Sequence, residues 1–134
     1  MPIRVVQWTT GVVGRPAVQA IANHPQMELV GCYCHSAEKV GKDVGELCGM
    51  APLGIRGTND VDALLALKPD CVSYMPLFPD VGEMVRILEA GSNIVSTAYF
   101  ITGTQFGKDE VARIRAAALK GGASIYGSGV NPGL

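Results

Sequence analysis

Apolar residues along this chain follow two alternating patterns. Short runs at Ile3 to Trp8, Met27 to Cys34, Asp70 to Met75, Ser92 to Thr97 and Ser124 to Gly127 are rich in Val, Ile, Cys and aromatic residues, as buried strands are. Between them the spacing lengthens to the helical period. Val13, Ala17, Ala20 and Ile21 form one stripe, with Pro16 in the first turn, where a missing N–H costs little. Val61, Leu64 and Leu65 share a face in a helix that Thr58 or Asn59 can cap and that ends after Leu67, at Lys68-Pro69. Val81, Met84, Val85 and Leu88 form the next stripe, behind Asp80 as cap and Glu83 three residues on, and before Gly91. A last helix opens on Asp109 and Glu110 and closes on Lys120 and Gly121-Gly122, charges that suit the helix dipole.

Two stretches are less regular. Gly54 to Gly57 reads as a short strand, third in chain order, which brings the predicted count to six. Residues 36–52 hold Gly41, Gly45 and Gly49 and a possible short helix around Asp43 to Leu47, so a loop or lid is expected there. Strands alternating with helices, without internal repeats, predict an α/β fold. The expected form is a doubly wound parallel sheet of about six strands with helices on both faces, residues 1–134 making one domain.

The join between the first strand and the first helix adds chemistry to this frame. It reads Thr9-Thr10-Gly11-Val12-Val13-Gly14-Arg15. A glycine turn that feeds a helix N-terminus leaves backbone N–H groups unpaired and pointing one way, at the positive end of the helix dipole, where a pyrophosphate fits. In the Rossmann fingerprint the first, third and sixth positions are glycine; here they are Thr9, Gly11 and Gly14, so the first departs from the pattern. A purely structural turn is the competing reading.

The end of the second strand bears on which dinucleotide would bind. Where an NAD site places Asp or Glu, this chain has Cys34-His35-Ser36, with Lys39 close behind. Ser36 can donate to a phosphate, Lys39 can supply charge and His35 can stack on adenine, a set that favours NADP, with NAD as the alternative. Ser36 could equally start a turn, and Lys39 could be a solvated loop lysine. Ligands of such sheets lie outside the carboxyl ends of the strands, which brings Met75 and Pro76, and then Ser96, Thr97 and Tyr99, to the nicotinamide end. Tyr99 lacks the Lys four residues on that a Tyr-x-x-x-Lys pair would require, so it is expected to line the cofactor or to pack. No catalytic residue is assigned.

Composition narrows the classes. With 134 residues, a net charge of −1 and scattered Lys and Arg, the chain shows no nucleic-acid footprint, and no apolar run approaches bilayer length. No signal segment precedes Ile3, so a soluble cytoplasmic protein is expected, with Cys32, Cys34, Cys48 and Cys71 as reduced thiols. Cys32, Cys34, His35 and Cys48 supply zinc-ligand types without a C-x2-C pair, and no metal site is expected. A Gly-x-x-x-x-Gly-Lys loop, a His-Glu-x-x-His helix and a Gly-x-Ser-x-Gly elbow are all missing from the sequence.

Three segments carry a family likeness: Val5 to Arg15, His35 to Leu47 and the closing Gly127 to Gly133. On these the chain resembles the N-terminal domain of the dihydrodipicolinate reductase superfamily, and most of all the amine-dehydrogenase-like branch that contains 2,4-diaminopentanoate dehydrogenase. The resemblance implies an NAD(P)-dependent oxidoreductase acting on a C–N bond, by imine reduction or oxidative deamination. It also implies a cofactor site at Thr10 to Val13, His35-Ser36, Met75-Pro76 and Ser96-Thr97. Met75-Pro76 stands where dihydrodipicolinate reductase has Phe-Thr, and Ser96-Thr97-Ala98 where it has Gly-Thr-Thr, which speaks against dihydrodipicolinate itself as substrate. The family continues into a second domain that binds substrate and forms much of the oligomer interface. This chain ends at Leu134, so a fragment of a longer enzyme is the favoured expectation, beside a truncated product or a free-standing, non-catalytic NAD(P)-binding module. The amine or imine substrate would bind only with that second domain, and apolar surface left uncovered would favour homo-oligomers.

Overall fold

The computed structural model describes residues 2–10, 14–75, 80–96 and 108–127. Along the chain these form β1 (Ile3–Trp8), α1 (Gly14–Asn23), β2 (Met27–Tyr33), α2 (Val44–Leu47), α3 (Val61–Ala66), β3 (Cys71–Tyr74), α4 (Val81–Glu89), β4 (Asn93–Ser96), α5 (Lys108–Gly121) and β5 (Ile125–Gly127). The five strands pair in parallel in the order β2-β1-β3-β4-β5. Chain order therefore runs outward in one direction from β1 and in the other from β3. The crevice at the carboxyl ends of β1 and β3 is the switch point at which ligands of open α/β sheets bind.

Alternation along β1 divides the core between the two sheet faces. Val6 and Trp8 join Val72, Tyr74 and Ile94 under Leu64 of α3, Met84, Ile87 and Leu88 of α4, and Ile114 and Ala117 of α5. Val5 faces the other way, with Leu29, Cys32 and Cys34, against Val18 and Ile21 of α1 and Val44 and Cys48. The α4–α5 contact depends on Gly121, where an added Cβ would fall 1.8 Å from the carbonyl oxygen of Leu88. Aspartates cap three helices: Asp43, Asp60 and Asp80 accept from the backbone N–H groups of Glu46, Ala63 and Glu83.

The structure corrects three expectations. Residues 54–57 are not a strand of the sheet. They fold back on the preceding segment through Val44 N–H to Ile55 O, Gly57 N–H to Lys42 O and Gly41 N–H to Gly57 O, and this leaves five strands among the described residues rather than six. After the turn at Gly54, at φ +77°, the chain makes only single bridges, Arg56 with Asp43 and Thr58 with Tyr33, and no continuous ladder. The cap of α3 is Asp60, whose carboxylate is the stronger acceptor, while Thr58 Oγ1 accepts from Asp60 N–H just outside the helix. In α1 the buried residues are Val18 and Ile21, whereas Ala20 is exposed and Val13 lies outside the described residues.

Candidate functional site

The carboxyl edge starts from the last rung of the sheet, where Tyr33, Trp8, Tyr74, Ser96 and Gly127 are register partners across β2, β1, β3, β4 and β5. Directly after Trp8 the backbone of Thr9 turns into the left-handed region at φ +76°, which a β-branched residue occupies only under strain. This is the position the fingerprint reserves for glycine. Neighbours on both sides hold Thr9 there. Its N–H donates to Tyr33 O (2.8 Å), its hydroxyl to Met75 O (2.8 Å), and its carbonyl accepts from Nε2 of the buried Gln7 (2.9 Å). Thr9 thus ties together the exits of β2, β1 and β3, a task glycine could perform only through its backbone.

Thr10 follows, almost fully buried, and α1 begins at Gly14. Gly11, Val12 and Val13 lie outside the described residues, as do Pro76, Thr97 and Tyr99.

Beyond β2 the chain makes a tight turn on Ser36, whose carbonyl accepts from the N–H groups of Lys39 and Val40 and whose hydroxyl accepts from Glu38 N–H. The turn sends the Lys39 side chain back toward β1, where Nζ donates to Thr10 Oγ1 at 3.2 Å. His35 is exposed, while Ser36 and Lys39 are half-buried. Two residues of the sequence-predicted set from distant parts of the chain, Thr10 and Lys39, therefore touch. The segment is pinned from below at Gly57, where an added Cβ would lie 2.6 Å from Cys34 Sγ.

Beneath Lys39 lie the thiols of Cys32 and Cys34, their sulfurs 3.9 Å apart. The Cys34 thiol is pulled down to about 7 by its hydrogen bond with Cys32, against the effect of burial and helped by the Lys39 charge and the Thr10 hydroxyl. Cys32 is pushed up by the same hydrogen bond and by burial.

Sequence reasoning missed the opposite wall. Trp8 stacks on Tyr33 with ring centroids 4.6 Å apart and planes within 8°, and Tyr74 lies tilted against Trp8 at 6.0 Å. The Tyr74 hydroxyl accepts from Asp80 N–H at 2.8 Å and lies 3.0 Å from Glu83 Oε1. Burial pushes both groups up, the Tyr74 phenol strongly and the half-buried Glu83 carboxyl less. The available signal was an aromatic residue closing each of three adjacent strands. At β4 the last residue, Ser96, is buried, and Met75 is half-buried at the exit of β3.

The strained turn at the switch point and the lysine held against it lie together at the carboxyl edge of the sheet, where ligands of open α/β sheets bind. The sequence model of the family described as "Dihydrodipicolinate reductase, N-terminus" matches residues 4–73, just over half of the chain. The chain belongs to this family. Among curated relatives, an amine dehydrogenase of Streptomyces virginiae is 35% identical over 98% of this chain and 39% of its own length. A 4-hydroxy-tetrahydrodipicolinate reductase of Neisseria gonorrhoeae is 33% identical over 98% of this chain and 48% of its own. The chain thus spans less than half the length of either relative. The solved amine dehydrogenase of Mycobacterium smegmatis shares the fold at a TM-score of 0.82 and 23% identity, across 96% of this chain and 39% of that one. The family is one of dinucleotide-binding oxidoreductases, and the matched residues run from Arg4 in β1 through α1 and β2 to Ser73 in β3. Among the described residues no helix is long and apolar enough to cross a membrane.

Proposed function

We propose that these residues are the cofactor-binding part of an NADP-preferring oxidoreductase that acts on a C–N bond, reducing an imine or oxidatively deaminating an amine. The observation that carries the reading is the Lys39–Thr10 contact, which fixes a cation over the turn that would take the pyrophosphate. The chemistry of the donors fits such a group. Lys39 has two donor hydrogens beyond the one given to Thr10, Ser36 presents a hydroxyl beside it, and His35 stands where an NAD site carries a carboxylate.

When bound, the nicotinamide would accept or donate the hydride. The chain's own part is to hold and orient. Thr9, Thr10, Gly11, Val12, Val13 and Gly14 would cradle the pyrophosphate, and His35, Ser36 and Lys39 the adenosine side with its 2′-phosphate. Met75, Pro76, Ser96, Thr97 and Tyr99 would line the edge toward the nicotinamide. No catalytic residue is assigned here. The groups that bind substrate and transfer the proton are proposed to lie in sequence outside these 134 residues, in keeping with the share of the relatives' length that the chain spans. Val95 of β4 and Leu119 of α5 are exposed, and a further domain or a second copy would have reason to cover them. The four free thiols suit a cytoplasmic setting.

Calorimetric titration of the 134-residue chain with NADPH and NADH tests the reading. NADPH is expected to bind more tightly. Binding of neither at millimolar concentration would overturn it.

A further inference from the structure

The aromatic wall of the last rung has chemistry that the turn and Lys39 leave unused. Tyr33 is half-buried and backed by the fully buried Trp8, so its ring is a rigid apolar wall at the exit of β2. Tyr74 is the positioning residue. The backbone N–H of Asp80 donates to its oxygen at 2.8 Å, and its proton has two acceptors, Glu83 Oε1 at 3.0 Å and, by a longer contact, Asp80 O at 3.3 Å. One carboxylate oxygen of Glu83 is thereby taken, and Oε2 has no hydrogen bond within the described residues. The indole N–H of Trp8 is buried and has no hydrogen-bond partner among the described residues. Trp8 stacks on Tyr33 and lies 6.0 Å from Tyr74, which holds Glu83, so the carboxylate and the Tyr33 ring belong to the same crevice at the carboxyl ends of the strands.

On the dinucleotide reading, the ribose held at Ser36 and Lys39 carries its purine into this crevice. We propose that Glu83 selects adenine by accepting a hydrogen bond from its exocyclic amino group at Oε2, with Tyr33 as the wall beside the ring. A carboxylate can only accept, and the adenine amine can only donate. Hypoxanthine has a carbonyl at that position, which would set two acceptors against each other.

The test measures binding of NADPH, NADH and their reduced nicotinamide hypoxanthine counterparts to the 134-residue chain. The adenine forms are expected to bind about tenfold more tightly, the range of one partly exposed hydrogen bond to a charged group. In Glu83→Gln the Tyr74 hydroxyl keeps the amide oxygen inward and turns the NH2 toward the ring, so the preference should reverse toward hypoxanthine. In Tyr74→Phe the carboxylate loses its anchor and the preference should shrink while both forms still bind. If Glu83→Gln does not fold, Glu83→Ala takes its place and should bind the two purines equally. Equal binding by the unaltered chain, or an unchanged preference in the Glu83 variant, would overturn the proposal and leave dinucleotide binding standing. Binding of none of the four would overturn the dinucleotide reading and this proposal with it.

Discussion

Lys39 Nζ donates to Thr10 Oγ1 across 3.2 Å and so joins the segment after β2 to the turn after β1, residues 29 apart in sequence. Both belong to the edge proposed to hold the cofactor. The contact also keeps the lysine half-buried and aimed, which lowers the entropy lost when it takes up a phosphate.

Removing that charge should separate the two cofactors. Lys39→Ala is expected to weaken NADPH about tenfold and NADH much less, the scale of one charge-assisted hydrogen bond at a partly exposed site. Ser36→Ala should act in the same direction and more weakly, because the hydroxyl is shared with Glu38 N–H. Calorimetry with both cofactors checks this, and equal losses would reject the roles given to Lys39 and Ser36.

Thr9 can be tested through stability. Its left-handed backbone costs on the order of 1–3 kcal/mol, and its hydroxyl bond to Met75 O contributes about 1 kcal/mol in return. Thr9→Gly removes both the strain and the bond and should stay within about 1 kcal/mol of the parent. Thr9→Val keeps the strain, loses the bond and leaves Met75 O without its donor, so it should cost about 1–2 kcal/mol. Urea unfolding of the two variants reads the difference, and a Val variant as stable as the Gly variant would contradict this account of the turn.

Much of the fold was legible because it depends on local periodicity. β1, β2 and the Met84/Leu88 stripe of α4 stand as the apolar pattern predicts, since burial at those positions follows from strand or helix spacing alone. Gly54 to Gly57 misled because its apolar Ile55 suits a strand, while the hydrogen bonds it makes go to Lys42 and Val44, partners that composition does not reveal. The site was legible as a list and not as an arrangement. Thr9 read as a defect in the fingerprint because its compensation comes from Met75, 66 residues away. Glu83 read only as a capping residue. Its link to Tyr74 depends on the path of the chain between β3 and α4.

The segment that carries Lys39 should weaken in acid through Asp43. Partial burial pushes this carboxyl up, but the backbone N–H groups of Leu53, Glu46, Gly54 and Gly45 more than offset that and hold it below the ordinary aspartate range. A carboxyl lowered in the folded state adds stability above its unfolded value and loses it as pH falls through the folded one. Asp43→Asn should therefore be less stable than the parent at neutral pH, with the gap closing as the solution is acidified below the usual aspartate range. Unfolding curves across that interval check the sign, and a gap independent of pH would show that the carboxylate charge is not what its donors stabilise.

Trp8 is the chain's only tryptophan and lies on the last rung of the sheet, one residue before the turn. Energy transfer from Trp8 to a reduced nicotinamide therefore reports directly whether a dinucleotide binds at this edge. The account predicts saturable quenching of Trp8 with matching nicotinamide emission as NADPH is added, and its loss in Gly11→Val, whose side chain would occupy the pyrophosphate's place. Transfer that never saturates up to millimolar NADPH, or that survives unchanged in Gly11→Val, would contradict it.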